Sequence, residues 1–432
     1  MKRAPLSQPA RLARIGRAGA VAAGRSASGA LRKVGASPAE RAEIESATAE
    51  ANALTLLEAM GDLRGLAAKL GQTLAQEGHG LPEAYVRRLA ELRRSAPPMH
   101  GSLARIQFRQ ALGDWPEAYF ERFEREPFAA ASLGQVHRAW LADGTALAVK
   151  IQYPGIRRAV ESDFRLLEQA LGAATLAGHE AGRLRGAMGH LRQRILAETD
   201  YRDEAAQLAF FRSALDEQPE VLIPAVHAPL SGERVLTMEF VDGLPIEDWL
   251  ETSPAQDQRD ELGRRLLGLF FQQAFQLGRF HADPHPGNVL VLPGERVGLV
   301  DFGCVEALES DMAGEVLALY RIPIEDETAL DRQYRRLGLY EADDPAADAR
   351  RAALLALQRA NVGRYHQDLA FDFGDPAPMR ELAACLRTVA GLGVASGPLL
   401  LFERTQFGLY GLLQMLGARV NCMAVLEPLL AD

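Results

Sequence analysis

Only three cysteines occur in the chain, Cys304, Cys385 and Cys422. They form an odd, widely spaced set, which excludes a disulfide framework and lacks any metal-ligand spacing, so reduced thiols in the cytoplasm are the expectation. No apolar run reaches the roughly 18–20 residues needed to cross a bilayer. The best candidate, Thr388 to Phe402, is bounded by Arg387 and Glu403 and contains Pro398, so it reads as core or interface. Acid is missing at the start of the chain: no Asp or Glu precedes Glu40, while Lys2, Arg3, Arg11, Arg14, Arg17, Arg25, Arg32 and Lys33 all do. Residues 1–36 therefore read as a basic flexible tail, with a weak contact to anionic lipid as the sharper alternative. Its apolar part, Ala18 to Gly24, is too short for a signal-peptide core. Internal repeats are absent, and the net charge of -9 argues against nucleic acid as a partner. With 48% hydrophobic and 24% charged residues, the 432-residue chain can form one or two globular units with a full-sized core.

From Glu40 a helical pattern takes over. Leu56, Met60, Leu63, Leu66, Leu70 and Leu74 recur at three- and four-residue spacing, one apolar face of a long helix or helix pair. Lys69, Gln72 and Gln76 form a polar stripe beside it, and Gly71 leaves room for a close backbone. Pro82 opens a second helical stretch, and Ala96 to Gly101 reads as a linker. At Phe128 the period changes to two. The small-residue stretch Ala129 to Trp140 leads into Asp143-Gly144, a two-residue hairpin signal. On the return strand, Ala146 to Tyr153, one face carries Leu147, Val149, Ile151 and Tyr153, and the other Ala148, Lys150 and Gln152. A lysine on the small-residue face, after a small-residue loop, suits a cation aimed at phosphates.

Helical sequence follows from about Arg157, and a clearer helix from about Leu191 to Leu215. There Glu204 shares a face with Leu208, Phe211 and Leu215, so its carboxylate needs a cation, for which Lys150 is the natural candidate. Glu198 and Asp200 lie just upstream, able to approach a metal or Lys69. Two short strands, Val221 to Pro224 and Arg234 to Val241, precede an Asp242-Gly243 connector. A patterned helix, Asp257 to Leu277, hands over to the stretch Phe280 to Gly303. This stretch places Asp283, Asn288 and Asp301 on two tight loops flanking a hairpin of Val289 to Val291 and Val297 to Val300. An aspartate, an asparagine five residues on, and then Asp-Phe-Gly have the layout that phosphoryl transfer requires. One carboxylate meets the acceptor hydroxyl, while an amide and a second carboxylate hold Mg²⁺. His281 and His285 have the spacing of a helical metal pair, but Pro284, Pro286 and Gly287 break any helix there. Packing and bonding of the loop is the better role for both. Everything beyond Gly303 reads as helical, in segments parted near Ile322-Pro323, Asp343-Asp344-Pro345 and Asp375-Pro376.

Each signal is modest alone; their order along the chain carries weight. With Lys69-Leu70-Gly71-Gln72, Ala129 to His137, Glu198-Thr199-Asp200, His281 to Asn288 and Asp301-Phe302-Gly303, the sequence resembles the UbiB/AarF family of atypical protein-kinase-like proteins from roughly Glu40 onward. The resemblance implies an α+β, bilobal protein-kinase-like fold with a helical N-terminal extension packed on the active site and a mostly helical C-lobe. The implied divisions are the tail at 1–36, the extension at 37–101, an N-lobe at 102–241 and a C-lobe at 242–432. It implies that Lys150 holds ATP phosphates and pairs with Glu204, that Asp283 is the catalytic aspartate, and that Asn288 and Asp301 bind Mg²⁺. Ala129, Ala130, Ala131, Ser132, Leu133, Gly134 and Gln135 would cover the nucleotide. Ala148 would contact it as well, as would Glu239 and Val241 of the hinge, Met238 to Val241, against the adenine. Lys69 and Gln72 would enter the site from the extension, with Lys69 near Glu198 and Asp200.

By the same resemblance, the chain would be an ATPase or phosphotransferase that supports ubiquinone or related isoprenoid-lipid synthesis and lacks protein kinase activity. Its partners would be the precursor lipid and lipid-biosynthesis enzymes. No Ala-Pro-Glu follows Gly303, so a conventional activation segment and peptide platform are not expected. Many bacterial members end in hydrophobic spans; this sequence holds no such run, so any attachment at the inner face of a membrane would be peripheral. Two other functions use the same residues. One is a small-molecule phosphotransferase of the aminoglycoside or choline type, which a phosphorylated metabolite would reveal. The other is a nucleotide-gated scaffold with negligible turnover, which would still work with Asp283 replaced.

Overall fold

The computed structural model describes residues 99–165 apart from 132 and 163, residues 192–430 apart from 194, 342, 395 and 396, and scattered positions between 17 and 51. The helical face of Leu56 to Leu74, the Lys69 to Gln72 motif and Ser132 lie outside the described residues.

Helix α1 (Gly101–Leu112) is followed by strands β1 (Arg122–Phe123), β2 (Ala129–Ala131), β3 (Gly134–Trp140) and β4 (Ala146–Gln152). Helix α2 (Tyr201–Ala214) leads to β5 (Val221–Leu222), β6 (Val235–Glu239) and β7 (Leu244–Pro245). Helices α3 (Ile246–Glu251) and α4 (Gln256–Phe275) precede β8 (Arg279–His281), β9 (Val289–Leu292), β10 (Arg296–Leu299) and β11 (Val305–Ala307). Then come α5 (Ser310–Arg321), α6 (Glu327–Arg336), α7 (Ala347–Val362), β12 (Ala370–Asp372), α8 (Pro376–Gly391), α9 (Gly397–Leu416), β13 (Arg419–Asn421) and α10 (Cys422–Leu430). The chain forms two compact units, Met1–Asp203 with His227–Thr237, and Glu204–Val226 with Met238–Asp432. Residues 204–226 thus group with the second unit and residues 227–237 with the first.

In the first unit the sheet runs β1-β3-β4-β6, with β2 paired to β3. The alternation read along β4 holds. Leu147, Val149, Ile151 and Tyr153 join Phe108, Phe120, Ala139 and Val235 in one apolar core. The opposite face is buried too: Ala148, Lys150 and Gln152 are 6%, 5% and 3% exposed. Two readings need correction. The β3–β4 turn is a three-residue loop, Ala142-Asp143-Gly144, because Leu141 N–H donates to Thr145 O and Gly144 N–H to Leu141 O. Gly144 supplies the positive φ (+86°) that this type I turn with a left-handed third residue requires. The expected linker at Ala96 to Gly101 is anchored at its described end. Met99 N–H donates to Gln135 Oε1 at 2.7 Å, and Gln135 Nε2 donates to Met99 O at 3.1 Å.

The expected helix from Leu191 to Leu215 is also interrupted. Helix ends at Ala197, Thr199 N–H and Asp200 N–H turn back to Leu196 O and Ala197 O, and α2 starts afresh at Tyr201. Asp200 caps the new helix, accepting Arg202 N–H at 3.1 Å. Aspartate favours this position over a helix interior because its short carboxylate competes for backbone donors.

In the second unit, α4 buries Leu262, Leu266, Leu267, Phe270 and Phe271, as its spacing predicts. Phe275 is half-buried and stacks on Phe271 with ring centroids 5.8 Å apart. A four-stranded sheet, β5-β10-β9-β7, lies in this unit, as do the pairs β8–β11 and β12–β13. Strands β11, β12 and β13 correct the expectation of helix alone beyond Gly303. Each is three residues long, too short to show a period in the sequence. The apolar run Thr388 to Phe402 is shared between α8 and α9, with Val389, Leu399 and Phe402 buried. Among the described residues, no helix is long and apolar enough to cross a membrane.

The helical core of this unit encloses a closed polar network. Gln406 Nε2 donates to Tyr320 Oη at 2.7 Å, and Asn361 Nδ2 to Gln406 Oε1 at 3.0 Å. Tyr410 Oη donates to Asn361 Oδ1 at 3.0 Å and lies 2.8 Å from Tyr365 Oη. Nearby, Glu403 lines a small internal cavity with Tyr320, Tyr334, Gln358 and Asn361. Burial pushes its carboxyl from 4.5 up to about 7. The folded chain thus holds this proton more tightly than the unfolded chain. The associated stability is complete below about pH 4.5 and is lost as pH rises through about 7. Glu403→Gln is expected to flatten that slope and to add roughly 2 kcal/mol of stability at high pH. Urea unfolding from pH 4 to 8 reads this directly; identical pH slopes for both proteins would refute it.

Candidate active site

Two antiparallel ladders frame the loops of interest in the second unit. Strand β8 pairs with β11, His281 opposite Val305 and Arg279 opposite Ala307. Just beyond, Ala282 N–H donates to Cys304 O at 2.9 Å. At the other end β9 pairs with β10, Val289 opposite Leu299, and Val300 N–H donates to Asn288 O at 3.2 Å. The segments 282–288 and 300–304 are therefore pinned at both ends. The hairpin tip is docked as well: Gln258 Nε2 donates to Glu295 Oε1 at 2.7 Å, and Arg265 Nη1 to Gly294 O at 2.9 Å.

Between the ladders, His281 bridges the two loops. Its Nδ1 accepts Asp283 N–H at 3.4 Å, and its Nε2 contacts Asp301 O, which fixes the Nε2–H tautomer. Its own N–H donates to Gln273 Oε1 at 2.9 Å. His285 Nδ1 accepts Gly287 N–H at 3.0 Å. Both histidines thus bond the loop, as the prolines around them suggested. Asp283 is 8% exposed. Asn288 Nδ2 donates to Asp283 O and to Asp283 Oδ2, both at 3.1 Å. With its amide nitrogen so committed, Asn288 presents Oδ1 as the acceptor for a cation. Asp301 Oδ1 accepts Gly303 N–H at 3.0 Å.

A side chain at Gly303 would crowd two carboxylates, since an added Cβ would lie 3.1 Å from Asp301 Oδ1 and 3.7 Å from Glu204 Oε2. Glu204, 4% exposed, therefore sits beside the metal loop. Phe302 is buried and packs on Phe211 of α2, ring centroids 5.0 Å apart, and edge-on to His281 at 5.2 Å. An amide oxygen and a carboxylate are hard donors of the kind Mg²⁺ takes alongside substrate phosphates. No cluster of three or more His, Cys, Asp or Glu side chains fit to hold a metal occurs among the described residues. A cleft beside Asp283 has mostly apolar walls, among them Leu266, Phe270, Pro284, Leu409 and Leu412.

In the first unit, β2 and β3 make a tight hairpin pairing Ala129 with Val136, Ala130 with Gln135 and Ala131 with Gly134. Ala129 and Ala130 are exposed, Ala131 is half-buried and Leu133 is buried. Lys150 lies opposite Val136 on β4, and its Nζ stands 5.1 Å from the centre of the Tyr201 ring. Gln152, on the same face, donates to Thr199 O at 2.8 Å, joining the Glu198-Thr199-Asp200 turn to the lysine strand. Glu198 is half-buried there.

Three expected contacts are engaged elsewhere. Gln135 is fully buried, its amide committed to Met99 and to His137 Nε2 at 2.9 Å. Asp200 takes a two-pronged bond from Arg202, Nε to Oδ1 at 2.9 Å and Nη2 to Oδ2 at 2.6 Å, which holds its carboxyl below the usual range. In the second unit, Glu239 Oε2 accepts from Ala225 N at 3.3 Å and Arg212 Nη1 at 3.4 Å. Val241 is buried against Gly298, where an added Cβ would lie 3.1 Å from Val241 Cγ1. Sequence reasoning passed over Tyr201 and Gln273, and placed Gln152 only on the strand face of Lys150. Gln273 left one signal, an amide among the phenylalanines of the buried face of α4.

An aspartate–asparagine loop and an Asp-Phe-Gly loop in one unit, and a sheet lysine beneath a small-residue hairpin in the other, define a protein-kinase-like chain. The ABC1 atypical kinase-like domain matches residues 91–330, more than half of the chain, and the chain belongs to that family, the UbiB/AarF group of atypical kinases. The Synechocystis protein slr0889 is 35% identical over 258 residues, 56% of this chain and 62% of its own length. The rat mitochondrial atypical kinase COQ8B is 33% identical over 279 residues, 63% of this chain and 51% of its own length. The chain thus spans between half and two thirds of these curated relatives. The Rv3197–erythromycin complex from Mycobacterium tuberculosis has a similar fold, with a TM-score of 0.63 and 28% identity over 90% of this chain and 98% of that one.

Helix α9 backs the Asp283 loop. A Cβ on Gly408 would lie 2.5 Å from Pro284 Cγ, next to Asp283, whereas a Cβ on Gly411 would meet nothing within 4 Å. Gly411→Ala should stabilise the chain by about 1 kcal/mol through helix propensity alone. Gly408→Ala should instead destabilise by roughly 1–3 kcal/mol, because a proline ring cannot rotate away. Paired thermal melts check the sign; stabilisation by both would refute the contact.

Proposed function

We propose that the chain binds Mg-ATP and works as an atypical kinase-like ATPase or phosphotransferase that supports ubiquinone or related isoprenoid-lipid synthesis. The observation that carries this reading is the loop pair pinned by β8–β11 and β9–β10, with Asn288 bonded to Asp283 and His281 joined to Asp301. In kinases these loops perform phosphoryl transfer by positioning and charge stabilisation. Asp283 accepts the proton of the attacking hydroxyl or water. Asn288 Oδ1 and the Asp301 carboxylate would hold the magnesium, which when bound would supply positive charge against the phosphates. Lys150 takes the phosphates and pairs with Glu204. The Ala129 to Gly134 hairpin covers the nucleotide, and the hinge from Met238 to Val241, with Ala148, takes the base.

By the family resemblance, Lys69 and Gln72, which lie outside the described residues, would guard the site, favouring water or a small acceptor over a peptide. Family relatives named COQ8 support the lipid pathway. Action at the inner face of a membrane would be peripheral. Purified protein is expected to hydrolyse Mg-ATP, faster with lipid vesicles. Asp301→Asn should abolish turnover by removing the charged ligand; phosphate release at the wild-type rate would overturn the reading.

A further inference from the structure

We infer that Tyr201 is the positioning residue of the phosphate grip: its ring seats the Lys150 ammonium, while the end of its side chain lies against the alanine-rich hairpin at Gly134. The inference rests on the proposed role of Lys150 toward nucleotide phosphates.

Lys150 and Tyr201 are 5% and 3% exposed, so both sit where an ammonium has lost most of its water. Nζ stands 5.1 Å from the ring centre, within the roughly 6 Å over which an aromatic quadrupole attracts a cation. A lysine head moves on a flexible four-carbon stem, and a fixed ring face beneath it narrows the positions it takes. Tyr201 is itself fixed. Its N–H donates to Glu233 O at 2.9 Å, and it begins α2 directly after the Asp200 cap. The preceding residue but one, Thr199, is bonded by Gln152, two residues along β4 from Lys150. Lysine and ring are therefore referenced to the same strand.

The far end of the side chain meets the hairpin. A Cβ added at Gly134 would lie 2.9 Å from Tyr201 Oη and 2.3 Å from Ile151 O. Gly134 lacks a side chain where the tyrosine hydroxyl and the neighbouring strand already fill the space. One buried residue thus touches both parts of the grip, the cation and the close of the covering hairpin. Tyrosine suits both contacts, since a leucine would fill much of the volume without offering the ammonium a negative face.

The test compares ATP and adenosine binding to the full chain by calorimetry. Tyr201→Leu is expected to weaken ATP by about tenfold with adenosine unchanged, and Tyr201→Phe to stay within about twofold for both. A general packing defect would weaken both ligands together. Lys150→Ala separates the two levels of the argument. If it leaves the ATP-to-adenosine ratio intact, the role of Lys150 itself is wrong. If it lowers the ratio and Tyr201→Leu does not, the positioning role is overturned. Should Tyr201→Leu fail to fold, phenylalanines with one, two and three ring fluorines at position 201 keep the shape and drain the negative face. ATP affinity falling stepwise supports the inference; a flat series overturns it.

Discussion

The central constraint in the second unit is the double clamp on the Asp283–Asn288 and Asp301–Gly303 loops. Loops are ordinarily the least certain part of a fold, yet phosphoryl transfer needs its carboxylates and amide held within a few tenths of an ångström. Here neither loop has a free end. The β8–β11 ladder closes one side, the β9–β10 ladder closes the other, and His281 joins the interiors. Phe302 then locks the metal loop into the apolar core against Phe211. The Asp283 side chain projects from backbone that is fixed on either side.

A second theme is the use of buried glutamines as backbone staples. Gln135 satisfies both peptide groups of Met99, Gln152 takes Thr199 O, Gln273 accepts His281 N–H, and Gln358 takes Leu319 O. Gln135 and Gln152 tie strands to segments outside the sheet, Gln273 joins α4 to β8, and Gln358 joins α7 to α5. A neutral amide matches a peptide group without the desolvation cost of a buried charge, so these joints hold where an ion pair would gain little. The Tyr320–Gln406–Asn361–Tyr410 network extends the same economy to the helical core.

The sequence made the kinase-like family and fold class legible because their motifs recur in fixed order at short range. Asp283, Asn288 and Asp301 lie on one local hairpin, and Lys150 declares its face through the alternation of Leu147, Val149 and Ile151. The kinase-like α+β class followed from that order. Hidden from it was whatever depended on a partner distant in the chain: Gln135 reaching back to Met99, Pro284 receiving Gly408, and Glu239 facing Arg212. The break at Glu198 to Asp200 was hidden differently. A cap and a mid-helix residue carry the same letters, and only the turn at Thr199 tells them apart. Strands of three residues, such as β11 and β13, show no periodicity at all.

The docked tip at Gly294 and Glu295 has an evolutionary corollary. With that tip held by Gln258 and Arg265, and both arms of the hairpin in register, the count of residues from Asp283 to Asp301 is a constrained length. Inserting or deleting one residue in either arm would turn every side chain beyond it to the opposite face. Chain-length drift should therefore accumulate elsewhere, in the connectors between the later helices. A divergent relative could be aligned by that interval even where its residues have changed.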